Sequence, residues 1–373
     1  MDPSNRFPIR PVVKTFAPYT PGGSIEEIKR KYRLHRVIKL ASNENPLGTS
    51  LRVQRRISRA APLAFRYPQS GNPQLIDSLS RSLQVKPDCL IAGNGSDELI
   101  DLVLRVVGKP GDSNVVVLEP SFSLYRMQAQ LNGLFTRFVA LNNDFSFPWD
   151  RIRQSVDHHT AVVFLTNPDN PSGYAARADK ILEFADNLPQ NTLLLIDEAY
   201  IDFASEPDLY TPLIQLGSRE NILILRTFSK LYGLAGLRLG YGIMPSWLAE
   251  VVLRIKLPFS VNILAEHAGI EALQDSDFRD LTRSTVLEQR QYLCQALRER
   301  GFYVYPSQAN FLLLEPPIGA DTLFQGLLEQ GVIIRPLDSY GLKDKVRISV
   351  GRSDENKILL QAIDQLMNRT QTD

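Results

Sequence analysis

Lys230 sits in the stretch Arg226-Thr-Phe-Ser-Lys-Leu-Tyr-Gly-Leu-Ala-Gly-Leu-Arg-Leu-Gly-Tyr241, immediately after the apolar run Ile222–Leu225. Such a run reads as a buried strand, so Lys230 stands just beyond a strand exit among small and hydroxylated neighbours. A lysine there is poor core material, but it is well placed to hold a carbonyl cofactor through its amine. Thr227, Ser229 and Arg238 add two hydroxyls and a guanidinium, the donor set for a phosphate beside that amine. Gly233, Gly236 and Gly240 let the backbone approach a bulky ligand. Taken alone, Lys230 reads as a solvated turn residue; the constellation around it argues for chemistry.

The elements that must position these groups are legible as a repeating pattern. Val115–Leu118, Ala161–Thr166, Leu193–Ile196 and Ile222–Leu225 are continuous β-branched and leucine runs separated by helix-sized segments. This pattern predicts an α/β fold with a mainly parallel sheet flanked by helices on both faces. Each run is followed by polar or aromatic groups: Pro120-Ser-Phe122, Asn167-Pro-Asp-Asn170-Pro-Ser-Gly173, Asp197-Glu-Ala-Tyr200, and Lys230 itself. Ligands of open α/β sheets bind beyond the carboxyl ends of the strands, so these four groups are expected to converge.

Other pieces surround that centre. Ile91-Ala-Gly-Asn-Gly-Ser-Asp-Glu98 opens a helix over 99–107; free backbone N–H groups at such a glycine turn suit an anion, while Ser-Asp-Glu is equally an ordinary helix N-terminus. Ile38–Gly48 is a short strand running into a polar loop with Asn43 and Asn45. Trp247–Leu273 is expected as one long helical stretch, Asp275–Arg300 as another helix closed by Gly301, and the remainder alternates short strands with helices over 321–330 and 354–367. The predicted organisation is an N-terminal arm (1–36), a large domain (37–265) and a smaller α+β domain (266–373), hinged within the long helix.

The bulk numbers set the class. At 373 residues, 43% hydrophobic and 22% charged, the chain is long enough for two cores. Lys+Arg of 42 against Asp+Glu of 41 gives +1, with no basic surface pointing to nucleic acid or membrane. No run of 18 apolar residues and no signal-peptide pattern occurs, so the expected compartment is cytoplasmic. Cys89 and Cys294 are expected as buried thiols, and the four histidines form no metal-ligand spacing.

The lysine segment, with Ser42-Asn-Glu-Asn-Pro-Leu-Gly48, Arg66-Tyr67-Pro68 and Val346-Arg-Ile-Ser-Val-Gly351, resembles the fold-type I pyridoxal-phosphate aminotransferases, most closely the histidinol-phosphate aminotransferases. The similarity runs from Ala17 to Leu366. It implies a seven-stranded-type sheet, pyridoxal 5′-phosphate as cofactor and a homodimer. It implies Lys230, Asp197 and Tyr200 as catalytic residues, with Asp197 at the pyridine nitrogen. Gly95, Ser96, Asp97, Thr227, Ser229, Arg238 and the partner subunit's Tyr67 become the phosphate cup. Phe122 stacks on the ring, and Asn170 and Tyr200 bond its phenolic oxygen. Tyr19, Asn45, Asn170, Arg335 and Arg347 are implied on the substrate side. Ser172 stands where threonine is more usual, and the stacking aromatic is phenylalanine rather than tyrosine. The activity implied is transamination between histidinol phosphate/imidazole-acetol phosphate and glutamate/2-oxoglutarate, in histidine biosynthesis. Alternatives are an aromatic-amino-acid aminotransferase, a threonine-phosphate decarboxylase, or a protein of this fold that only binds the cofactor.

Overall fold

The computed structural model describes residues 8–16, 25–217 and 219–370. Its strands are, in chain order, β1 (Ile38–Lys39), β2 (Leu90–Gly93), β3 (Asn114–Glu119), β4 (Phe135–Ala140), β5 (Thr160–Thr166), β6 (Leu193–Asp197), β7 (Ile222–Thr227), β8 (Gly240–Ile243), β9 (Tyr303–Val304), β10 (Phe311–Glu315), β11 (Val332–Ile333), β12 (Arg335–Leu337) and β13 (Leu342–Ser349). The predicted parallel strands form the middle of a seven-stranded sheet of order β2-β8-β7-β6-β5-β3-β4. Strands β7, β6, β5, β3 and β4 run parallel, while β8 is antiparallel to both β7 and β2.

The continuous apolar runs follow from burial on both faces. Leu193 and Leu195 pack into one core with helices Ser96–Val107 and Ser246–Ile255, whereas Leu194 and Ile196 enter the other. All four are nearly inaccessible to solvent. Each such side chain contributes about 1.5–3 kcal/mol of transfer free energy, so a polar substitution at any of them would open the sheet beneath the site.

The second sheet, β12-β13-β10-β9, is antiparallel and has its own core, including Leu293, Leu312, Leu327, Ile348 and Ile363. Helix Ser276–Glu299 packs on it, starting where the Asp275 carboxylate accepts from Phe278 N and stopping before Gly301 at φ +80°. Strand β1 pairs in parallel with β11, so Ile38–Lys39, expected with the large domain, hydrogen-bond to the C-terminal part.

Two expectations are corrected. The helix predicted over Trp247–Leu273 is two helices, Ser246–Ile255 and Ile263–Leu273. Pro258 lacks the amide hydrogen needed to continue the first, and the Asn262 side chain caps the second by accepting from Ala265 N at 2.8 Å. Cys89 and Cys294 are half-buried rather than buried.

Candidate functional site

The carboxyl ends of β3, β5, β6 and β7 face a cavity of about 700 Å³, bounded on its other side by β12 and β13. Among its lining residues are Ser96, Asp97, Phe122, Asn170, Asp197, Tyr200, Thr227, Ser229, Lys230, Arg238, Arg335 and Arg347. The expected convergence is therefore found. Gly95 lies just behind, at φ +77°, where an added Cβ would fall 2.6 Å from Arg238 Nη2.

Side chains alternate along a strand, which explains how the strand ends divide their labour. Asp197 and Thr227 end β6 and β7 and face the cavity, whereas Glu198 and Arg226 form an ion pair at 2.8 Å with Glu198 buried. Asp197 Oδ2 accepts from Tyr125 Oη at 2.8 Å and Oδ1 from Ala199 N at 3.0 Å. Burial, with smaller additions from the Asp97 and Glu198 charges, pushes its carboxyl up to about 6 against those two hydrogen bonds. Among the described residues this buried carboxyl makes no ion pair, which suits it to the N–H of a bound cationic heterocycle.

Lys230 Nζ donates to Ser42 O at 3.1 Å and lies 5.7 Å from the Tyr200 ring centroid. Desolvation first, then the Arg347 and Arg238 charges, bring the amine down to about 8. It can therefore take up and release a proton near neutrality, as a base or nucleophile requires. Arg238, left-handed at φ +54°, pairs with Asp97 at 3.1 Å on the rim. With the hydroxyls of Ser96, Thr227 and Ser229 and the start of helix Ser96–Val107, it makes a cradle for an anion.

Opposite the lysine, Arg347 is buried. It donates through Nη1 to Asn170 Oδ1 and through Nη2 to Ala41 O at 2.9 Å. Its Nε is buried without a hydrogen-bond partner. Arg347 lines the cavity, where a planar guanidinium suits a carboxylate or phosphate. Arg335 is directly across the ladder from Arg347 and also lines the cavity.

Some expected residues are placed elsewhere. Asn45 does not line the cavity: its amide donates to Leu231 O at 2.7 Å and its oxygen accepts from Leu47 N at 2.9 Å, fixing the loop. Asn43 takes the cavity position instead and donates to Tyr200 Oη at 3.2 Å. Tyr67 lies outside the cavity, 79% exposed and stacked on Phe259 at 4.7 Å. Tyr19 lies outside the described residues. The sequence places Tyr125 only beside Phe122 and gives Thr166 no role, whereas Tyr125 Oη bridges Thr166 Oγ1 at 2.9 Å and Asp197. The available signal was register, since Thr166 and Asp197 end neighbouring strands and pair directly.

Among the described residues no group of three or more His, Cys, Asp or Glu side chains is placed to hold a metal. No helix there is long and apolar enough to cross a membrane.

An amine, a buried carboxyl and an anion cradle at the strand ends of a seven-stranded α/β sheet define a class, and comparison with known proteins agrees. The chain belongs to the family of class I and II aminotransferases, which matches residues 35–363. Within it, the chain is 49% identical over 363 residues to the histidinol-phosphate aminotransferase of Oleidesulfovibrio alaskensis, covering 96% of this chain and 95% of that protein. It is 36% identical over 357 residues to the protein of the same name from Shouchella clausii, covering 96% of each. The crystal structure of histidinol-phosphate aminotransferase from Sinorhizobium meliloti in complex with pyridoxal-5′-phosphate superposes with a TM-score of 0.87 at 27% identity, covering 98% of both chains.

Proposed function

We propose that the chain binds pyridoxal 5′-phosphate and transfers an amino group between histidinol phosphate/imidazole-acetol phosphate and glutamate/2-oxoglutarate. One observation carries the reading. Arg347, with Arg335 across the ladder, lines the cavity that holds Lys230 and Asp197. Both amino donors present an anion, a phosphomonoester in one and a carboxylate in the other, and a planar guanidinium accepts either.

The residues present fit the cofactor. Lys230 supplies the amine for its aldehyde, and Asp197 a carboxylate that makes no ion pair among the described residues. Ser96, Asp97, Thr227, Ser229 and Arg238 supply the phosphate cradle, and Phe122 an aromatic wall. Bound there, the cofactor supplies an electron sink for charge developing at the substrate carbon. The chain does the rest. Asp197 keeps a cationic nitrogen charged; opposite charges about 4 Å apart attract by roughly 4 kcal/mol at an effective dielectric near 20. Lys230 Nζ takes a proton from the substrate carbon and returns one. Arg347, braced by Asn170 and Ala41, orients the donor.

We further infer a homodimer in which Tyr67 completes the partner's phosphate cradle. Tyr67 is held by Phe259 outside its own cavity, and Phe65, Leu257 and Phe259 leave an exposed apolar surface around it. The experiment is a half-reaction screen of the cofactor-loaded protein. Histidinol phosphate and glutamate, added singly, are expected to convert the cofactor from aldehyde to amine form, with phenylalanine much slower. Conversion by phenylalanine ahead of histidinol phosphate, or release of carbon dioxide from threonine phosphate, would overturn the assignment.

A further inference from the structure

Two rings separate the lysine from the substrate-side arginine. Lys230 Nζ lies 5.7 Å from the Tyr200 ring centroid, and Tyr200 meets Phe311 edge to face at 5.1 Å and 87°. The Arg347 guanidinium carbon lies 5.1 Å from the centroid of that same Phe311 ring. Phe311 does not line the cavity and is wholly buried. It can therefore touch neither donor nor cofactor, yet it touches two of the groups that do.

The surroundings fix this ring in place. Phe311 starts β10, opposite Ser349 in β13, and Arg347 is diagonal to it on the same face of the ladder. Ser349 Oγ donates to Asn43 Oδ1 at 2.9 Å, and Asn43 Nδ2 donates to Tyr200 Oη at 3.2 Å. A second path runs from β13 to the hydroxyl of the tyrosine whose ring rests on Phe311. Arg290 donates to Phe203 O and Ala309 O, each at 2.8 Å, pinning the segment after Tyr200 to the segment before Phe311. An edge-to-face pair and a cation over a ring are both directional, and both strengthen away from water.

We propose that Phe311 is a positioning residue that holds Tyr200 and Arg347 as one unit. This rests on the reading of the cavity as the cofactor and substrate site. The grip on the donor's anion and the hydroxyl beside the cofactor are then set together by one buried ring on the second sheet. Leucine or methionine would fill most of its volume but offers no ring face or edge, so burial would be largely kept and orientation lost.

The test uses the cofactor-loaded protein and variants at four positions. Phe311→Leu and Phe311→Met remove the ring at two levels of packing disturbance. Leu312→Val, on the opposite face of β10 in the separate core of the second sheet, controls for lost stability. Tyr200→Phe and Arg347→Ala are references for the site itself. Two readouts are taken besides Tm: the pH midpoint of the bound cofactor's absorption without substrate, and KM and kcat for glutamate. Both Phe311 variants are expected to move the midpoint in the direction of Tyr200→Phe and to raise KM about tenfold. Leu312→Val should move neither at a comparable loss of Tm. Phe311 variants that match Leu312→Val in midpoint and KM would overturn the proposal while leaving the site reading intact. If Tyr200→Phe and Arg347→Ala themselves change neither readout, the site reading falls, and this inference falls with it.

Discussion

Asp197→Asn should make the cofactor-free protein more stable while removing its function. Burial holds the Asp197 carboxyl up, from the ordinary 3.8 to about 6. The folded state thus binds this proton more tightly than the unfolded chain, so ionising the group costs the fold stability. The cost is absent below about pH 4, accumulates between about 4 and 6, and is complete above that. At about 1.4 kcal/mol per pH unit it reaches about 3 kcal/mol at pH 8, with about half of that at pH 5. Asparagine keeps the shape without the charge. It could lose a hydrogen bond, worth about 1 kcal/mol, if its amide faced a donor. The network can turn round instead: the asparagine oxygen accepts from Ala199 N, its amide donates to Tyr125 Oη, and that hydroxyl donates to Thr166 Oγ1, already 2.9 Å away. The gain should therefore survive at about 2–3 kcal/mol at pH 8. Urea unfolding of both cofactor-free proteins at pH 5 and pH 8 measures it. A variant no more stable than wild type at pH 8, or a gain independent of pH, would refute the reasoning. Pyridoxal phosphate should then stabilise the wild type more than the variant, because only the former gains a charge partner.

Lys230→Ala should bind the cofactor weakly, with no borohydride-fixed adduct; a persisting adduct would show that another lysine holds it. In the cofactor-free protein, reaction of Lys230 with an amine reagent should show a midpoint near pH 8. Arg347→Ala should move that midpoint up, since the Arg347 charge is the largest cause after burial; an unchanged midpoint would exclude their coupling. Tyr67→Ala and Lys230→Ala proteins, each inactive, should regain about a quarter of paired sites when subunits exchange randomly. No recovery under proven exchange would place Tyr67 in its own subunit's site or in none. Arg347→Ala should cost both amino donors about 1.5–3 kcal/mol each in kcat/KM, whereas Arg335→Ala should hurt histidinol phosphate more than glutamate. Equal losses in the Arg335 variant would remove its assignment to the phosphate.

How much of this was legible in the sequence depended on whether position along the chain also fixed position in space. The four central strands were legible because burial on both faces leaves an unbroken apolar run. Edge strand β4 was not, because only Val139 in it is buried and Phe135 and Phe138 are exposed on opposite faces. Strand β2 is only four residues long and merges into the glycine turn before Ser96. Lys230, Asp197 and Asn170 were legible for the same reason as the central strands: a residue just past a parallel strand has one destination, the carboxyl edge of the sheet. Asn43 and Asn45 had no such guide. Both lie in one polar loop, and the left-handed backbone at Asn43, φ +55°, helps decide which amide turns inward. The Tyr125–Asp197 bond and the Phe311 ring between Tyr200 and Arg347 were further out of reach. Each joins elements dozens of residues apart or more, and only the packing of a helix or loop against distant strands brings them together. The same distinction separates the site's two halves. The half proposed to face the cofactor is written on successive strand ends of one sheet. The half proposed to face the donor is assembled from β12, β13 and the loop after β1, held to the first by Arg347 on Asn170 and by Asn43 on Tyr200. Substrate preference should therefore respond to substitutions in the second sheet that leave cofactor binding unchanged. Arg335, in that sheet and across the ladder from Arg347, is where such a separation should be sharpest.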